Sequence, residues 1–343
     1  MVTLARSTFD LAEPTNIRYD ASTKTLELDS LTLKQKIAQM VIVYGNDESR
    51  REWQKMAVGG IFLEAKPSAK DFQKSIEKYQ ESSLIPFLVT ADVEGCRNPF
   101  ESFKTFPTFK EIQTVQEAYN VGFSAGKTMR ELGFNMNFAP VVDLEDTIWG
   151  CRSFSGTAEE ISVKTAAYVD GLSTQGILSV AKHYPGKTLC VSDTHLVGGQ
   201  AEIESQDLLP FQTAMNEGVS GIMISHLIVN GAINSQGKPG VVSPTLVQDL
   251  KNEFTGLIIT DEIGMLGLRD YYTNAQGQTN YKQMFLDLFQ TENDLILTFD
   301  RNPEHVYGMI SVIEEAVKKG EISEERIDSS VRKIMKAKGI TII

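Results

Sequence analysis

No run of this chain approaches the roughly 18 uncharged apolar residues that a membrane-spanning helix needs, which excludes a helical membrane protein. Residues 1–10 lack the long apolar core of a signal peptide, so a cytoplasmic location is expected. Basic charge is in deficit. With 33 Lys and Arg against 45 Asp and Glu, the net charge is −12 at pH 7. Nucleic acids and anionic membrane surfaces both need a basic face, so neither is expected as a partner. Cysteine is limited to Cys96, Cys151 and Cys190. An odd number in a long chain does not make a disulfide framework and fits a reducing compartment. No Cys-X-X-Cys or His-X-X-X-His spacing accompanies them, so a zinc site is not expected. All three nevertheless fall beside polar motifs, which leaves open a redox-sensitive mouth.

Histidine is scarce as well, at four residues, yet two of them fall between Lys182 and Leu196. The stretch follows the apolar run 177–181, and Pro185-Gly186 breaks the strand after Lys182, His183 and Tyr184. The loop that follows contains Asp193-Thr194-His195. A carboxylate two residues before a histidine accepts a hydrogen from one ring nitrogen and leaves the other free to exchange a proton with a substrate. The plain alternative is a pair of solvated loop residues. What favours chemistry is the repetition of the same strand-then-polar pattern along the chain.

Apolar, β-rich runs occur at 40–44, 60–63, 87–91, 136–142, 177–181, 222–224, 257–260 and 295–298. Between them lie helical patterns at 47–56, 69–81, 109–132, 158–174, 203–216, 244–252, 281–290 and 304–319. Strands alternating with helices imply parallel pairing through right-handed crossovers, and continuous apolar runs imply strands covered on both faces. Eight such units predict a single (β/α)8 TIM-type barrel, of class α/β, with its chemistry at the carboxyl ends of the strands. A doubly wound sheet is disfavoured, because no Gly-X-Gly-X-X-Gly follows the first strand. Residues 1–30 show neither period and are expected as an N-terminal extension strapped outside a barrel of 31–343. The turn 13–16 belongs to that strap, and an amphipathic helix, 323–338, closes the chain.

The strand ends carry an inventory of polar groups. They are Asp92, Glu94 and Arg97; Asp143 and then Arg152; Lys182 and His183; His226; and Asp261 with Glu262. Buried charge is costly unless paired or used, so acids, cations and histidines at consecutive strand ends point to a site.

The order of these blocks resembles glycoside hydrolase family 3. They are Asp92-Val-Glu94-Gly95-Cys96-Arg97, the run 133–143, Arg152-Ser-Phe154, Lys182-His183-Tyr-Pro-Gly186 with Asp193-Thr-His195, and Thr260-Asp261-Glu262. The resemblance spans about 31–338, and the Asp-X-His loop is similar to that of the bacterial β-N-acetylglucosaminidase branch. It implies that Asp261 is the nucleophile of a retaining reaction and His195 the general acid and base, with Asp193 holding the imidazole. It also implies that Asp92, Arg152, Lys182 and His183 grip the sugar, with Arg97 nearby, and that no cofactor is needed. The activity implied is exo-β-N-acetylglucosaminidase on a small carbohydrate, with peptidoglycan fragments among the expected sources.

Rival readings are a β-glucosidase or β-xylosidase, a phosphorylase, substrate assistance by the acetamido group, and a catalytically silent sugar-binding protein. The chain departs from the family's common pattern at Cys96, Cys151 and Lys187-Thr188, which bears on loop motion and the outer subsites. Glu262 reads as a supporting residue and His305 as a helix-surface residue. His226 stays open between a core histidine and a substrate contact, and Trp149 between a sugar-stacking platform and packing. Phe100, Phe103 and Phe106 read as packing under the loop. A monomer is favoured.

Overall fold

The computed structural model describes residues 16–191 and 193–343. Eight parallel strands form one sheet. They are β1 Val41–Tyr44, β2 Gly60–Phe62, β3 Leu88–Ala91, β4 Met136–Asn137, β5 Leu178–Tyr184, β6 Gly221–Ile224, β7 Leu257–Thr260 and β8 Ile296–Thr298. Each pairs with its chain neighbour, β8 pairs with β1, and a parallel bridge from Ile259 to Leu295 joins β7 to the entry of β8. The sheet is therefore a closed barrel, the expected α/β fold. Val41, Ile42 and Val43 of β1 are all fully buried, because helices cover one face and the barrel interior the other.

The helices start where side-chain caps allow. Thr157 accepts from Glu160 N while the Glu160 side chain accepts from Thr157 N, which starts the helix Ala158–Ser173. The same reciprocal cap between Thr114 and Glu117 starts the helix Val115–Leu132, with only the short 3-10 turn Phe109–Glu111 before it. The helix expected at 109–132 therefore begins six residues later (115 − 109), since a capped backbone cannot extend further back. The strand expected over 136–142 is cut to Met136–Asn137, because Pro140 has no N–H to give the ladder. Val141 still touches Lys182 of β5 through an isolated bridge. A short parallel pair, Gln200–Ile203 with Ile228–Gly231, lies outside the barrel and was not anticipated.

The described part of the strap makes a hairpin, Tyr19–Asp20 with Thr25–Leu26, and Thr341–Ile342 adds a third strand. Most of the expected turn at 13–16 lies outside the described residues. The last helix, Glu324–Ala337, buries Ile327, Val331, Ile334 and Met335. Its Glu324 and Asp328 pair with Lys36 of the helix Leu33–Gln39, 3.0 and 2.8 Å away.

Candidate active site

The carboxyl ends of the strands open into one cavity enclosing about 630 Å³, including the part open to solvent, within the range of small-molecule sites. Asp92, Arg97, Arg152, Lys182, His183, Asp193, His195 and Asp261 all line it. The sequence spread these residues over 170 positions (92 to 261), and barrel closure brings them together.

The floor is an ionic cluster. Asp92 and Glu94 follow the end of β3 two residues apart, Lys182 lies two residues before the end of β5, and Arg152 arrives on the loop after β4. Lys182 Nζ lies 2.7 Å from Asp92 Oδ1 and 3.0 Å from Glu94 Oε2. Arg152 donates to Glu94 through Nε at 2.8 Å and Nη2 at 3.2 Å, the two-pronged geometry that suits guanidinium and carboxylate. Glu94, Lys182 and Arg152 are buried. Burial pushes the Asp92 carboxyl up, yet Lys182, Arg97 and Arg152 outweigh it and hold it below the usual carboxylate value. Burial likewise weakens the charge of Arg152, and Glu94, Asp92 and Asp261 more than restore it. Glu94 stood in the strand-end inventory but was given no role in the site. Its signal was its place two residues after Asp92, just past the apolar run 87–91.

The turn carrying these groups depends on Gly95. Its φ of +80° suits glycine, and a Cβ there would stand 2.7 Å from Thr108 Cα. Any other residue moves Glu94 and Arg97.

His183 is oriented by Asp143, which is fully buried. Asp143 Oδ2 lies 2.9 Å from His183 Nδ1, and Oδ1 accepts from Thr188 N at 2.9 Å. One carboxylate thus ties the floor histidine to the loop that carries Asp193 and His195. A carboxylate only accepts, so His183 Nδ1 holds the hydrogen and Nε2 is left for another partner.

The loop itself is docked at both ends of its span. Leu189 O accepts from Thr147 N and Ile148 N, at 3.0 and 3.1 Å, and Thr194 O accepts from Gly267 N at 2.9 Å. Lys187, in the departure Lys187-Thr188, adopts φ +60°, and its Nζ donates to Glu202 O at 2.7 Å. Lys187 also pairs with Asp207, 3.2 Å away. Within this loop Asp193 Oδ1 accepts from His195 N at 3.0 Å and lies 2.7 Å from His195 Nδ1. Burial acts to raise the Asp193 carboxyl, but the His195 side chain and N–H outweigh it and keep it ionised below its ordinary value. The imidazole therefore presents Nε2 outward.

Asp261 follows β7 directly, and Glu262 N donates to its Oδ1 at 2.8 Å. Burial would raise its carboxyl, but His183, His226, the Glu262 N–H and His195 together hold it below the ordinary value. Glu262 behaves oppositely. Burial raises it, against the N–H groups of Phe299 and Gly264, so it braces the entry of the next loop. His226 is a buried histidine whose Nε2 lies 2.8 Å from Glu262 O, which makes it a support under Asp261. His305 is an exposed helix residue paired with Asp300 at 2.8 Å. Of the three phenylalanines, Phe100 packs fully buried against Phe72 and Phe134, whereas Phe103 stays partly exposed.

A model of the family described as the glycosyl hydrolase family 3 N-terminal domain matches residues 32–337. The chain belongs to glycosyl hydrolase family 3. Among its relatives is the β-hexosaminidase LpqI of Mycobacterium tuberculosis, 27% identical over 336 residues, covering 90% of this chain and 83% of that one. A solved family 3 glycosyl hydrolase from Mycobacterium smegmatis superposes with a TM-score of 0.81 at 26% identity, covering 91% of this chain and 98% of its own. A family 3 β-N-acetylglucosaminidase from Paenibacillus sp. gives 0.79 at 27% identity, over 90% of this chain and 62% of that one. The chain is thus an enzyme of the glycoside hydrolase class.

One expectation for this family 3 chain is corrected. Cys96 and Cys151 form a disulfide, with Cα atoms 5.9 Å apart, and only Cys190 stays a thiol. Barrel closure sets the loops after β3 and β4 side by side, which a separation of 55 residues in sequence conceals. Burial pushes the Cys190 thiol up to about 11, and its Sγ donates to Lys187 O at 3.4 Å. It is a packed thiol, so a mouth at which all three cysteines act together is not found. The bond joins the neighbours of Arg97 and Arg152. Closing a loop of this length stabilises by about 4 kcal/mol in the chain-entropy model, and 2–4 is typical of measured bridges. Reduction, or Cys96→Ser with Cys151→Ser, is expected to lower the urea midpoint accordingly. Equal midpoints for the oxidised and reduced chain would show that the bond does not form in solution.

Proposed function

We propose that the protein is a retaining exo-β-N-acetylglucosaminidase that cleaves terminal β-linked N-acetylglucosamine. The observation that carries the reading is the pairing, around one cavity, of an ionised Asp261 with an imidazole whose Nδ1 is held by Asp193. In this reading Asp261 attacks the anomeric carbon, the glycosidic C–O bond breaks, and His195 Nε2 passes its proton to the leaving oxygen. His195 then takes a proton from water as that water displaces Asp261 from the same carbon. Two displacements return the original β configuration. Lys182, Arg152, Asp92 and His183 hold the sugar's polar groups, with Arg97 beside them. The names of the relatives, β-hexosaminidase and β-N-acetylglucosaminidase, support the N-acetyl preference.

The chain needs no cofactor for these steps, and a monomer suffices, since every residue invoked comes from one barrel. A peptidoglycan fragment bearing terminal N-acetylglucosamine is the natural substrate we assign. The cysteine argument for a cytoplasmic location no longer carries, because two of the three cysteines are paired, and such a bond suits an oxidising compartment. No helix among the described residues is long and apolar enough to cross a membrane.

Release of nitrophenol from the β-N-acetylglucosaminide, compared with the β-glucoside and with and without phosphate, tests the reading. Turnover of the N-acetyl substrate, independent of phosphate, is expected. Faster turnover of the glucoside, or strict dependence on phosphate, overturns it in favour of a glucosidase or a phosphorylase.

A further inference from the structure

Beyond the sugar-gripping floor, the outer wall of the cavity is apolar: Ile148, Trp149, Leu189 and Met265 line it. The chain has two tryptophans. Trp53 is fully buried, whereas Trp149 is 48% exposed at this mouth. A half-exposed indole on a loose loop would mean little. This one sits on a loop whose backbone is pinned throughout. Asp146 Oδ1 accepts from Trp149 N at 2.7 Å, and Oδ2 accepts from Cys151 N and Arg152 N at 2.9 and 2.7 Å. Thr147 N and Ile148 N are bound to Leu189 O, and Cys151 is bonded to Cys96. The same short turn therefore fixes Arg152, which faces the floor, and Trp149, which stands at the rim. Leu196 and Val197, on the loop that carries His195, add exposed apolar surface.

Resting on the glycosidase reading, we propose that Trp149 is the platform for the leaving group, and that this group is a second pyranose ring. A pyranose ring offers a face of C–H groups, and the flat, electron-rich face of an indole accepts such a face while its edge stays wet. Asp261 has to approach the terminal sugar from the floor, so the bond to be broken points toward the mouth. The group beyond that bond then meets Trp149. A methyl group is too small to cover the indole; a second sugar is not.

The test compares methyl β-N-acetylglucosaminide with N,N′-diacetylchitobiose in the wild type, Trp149→Ala and Trp149→Phe. Trp149→Ala is expected to lose about ten-fold in kcat/KM on the disaccharide, the scale of one aromatic contact. It should change by less than about two-fold on the methyl glycoside, where the platform is idle, and Trp149→Phe should recover most of the loss. An equal fall on both substrates, or none on either, overturns the proposal. A second arm is independent of turnover. In an Asp261→Ala chain the emission of Trp149 should shift on titration with the disaccharide, and the shift should vanish in Asp261→Ala/Trp149→Phe. A shift without turnover by the wild type keeps the platform and rejects the glycosidase reading; no shift rejects the platform.

Discussion

Asp261→Ala is expected to lower kcat by about 10⁶-fold, on the scale seen when a covalent nucleophile is removed from another hydrolase. The fold should survive, because the Asp261 carboxylate receives a hydrogen bond from the Glu262 N–H next to it and closes no distant part of the structure. The variant leaves a cavity beneath the anomeric carbon. Azide entering it attacks from the face that Asp261 used, so the product is the α-glycosyl azide, inverted relative to the substrate. Recovery of rate with that product supports covalent catalysis by Asp261. A loss below about ten-fold, or no effect of azide on an otherwise inactive chain, points to another nucleophile, the acetamido group of the substrate being the obvious one.

The pH profile adds a check with a definite sign. An ordinary aspartate titrates at 3.8, and the folded chain holds Asp261 below that value. The nucleophile thus stays ionised as pH falls through the usual carboxylate range. The acid limb of kcat/KM due to Asp261 lies under 3.8, so a group that cuts activity near pH 5 is not this one. The same shift is linked to stability. A carboxyl lowered on folding stabilises the native chain above its unfolded pKa, and that contribution disappears as pH falls through the folded value. Asp92 and Asp193 share the direction. Acid unfolding should therefore set in only below about pH 4 as far as these three are concerned.

The barrel was legible because parallel strands covered on both faces must be continuous apolar runs, and 41–43 or 257–260 offer no other reading. Their ends were less so. Pro140 cut a run that hydrophobicity alone extends, and Thr114 set a helix start that composition places earlier. Six of the eight candidate residues were named from charge at successive strand ends, which has few structural uses, and Asp193 and His195 from their spacing on a loop; the roles of all eight came from the family resemblance. What holds them could not be named. Whether Glu94 faces Arg152, or Asp143 reaches both His183 and Thr188 N, depends on distances that only barrel closure sets. The disulfide is of the same kind. Two cysteines on neighbouring loops look unrelated until the loops are adjacent, and Lys187, read as a departure, turned out to be an anchor through Asp207 and Glu202. Gln200–Ile203 escaped because its residues alternate between exposed and buried over only four positions.

Glu94→Gln is expected to be the most damaging substitution that touches no reacting atom. The carboxylate is fully buried and is shared by two cations, Arg152 through two hydrogen bonds and Lys182 at 3.0 Å. Glutamine keeps the volume but removes the charge, and its amide N–H group must face donors where an acceptor stood. Removing one partner of a buried ion pair costs about 3–5 kcal/mol, because the other charge is left in a dry place. At roughly 2 °C for each kcal/mol, Tm should fall by about 6–10 °C. Catalysis should suffer through binding, since Arg152 and Lys182 no longer stand where the sugar meets them, and KM should rise more than kcat falls. A purely structural role predicts the loss of Tm alone. The electrostatic role adds a shift the structural one does not. With one negative charge gone, Lys182 and Arg152 act on Asp92 undivided, so the Asp92 carboxyl moves still lower. A carbon-13 titration of Asp92 in wild type and Glu94→Gln reads that movement directly. Glu94→Asp, which keeps the charge on a shorter arm, should recover part of the KM but not all of the Tm. A Glu94→Gln chain with unchanged Tm and KM would mean that the buried cations are balanced by Asp92 alone, and that the floor of the site is built differently.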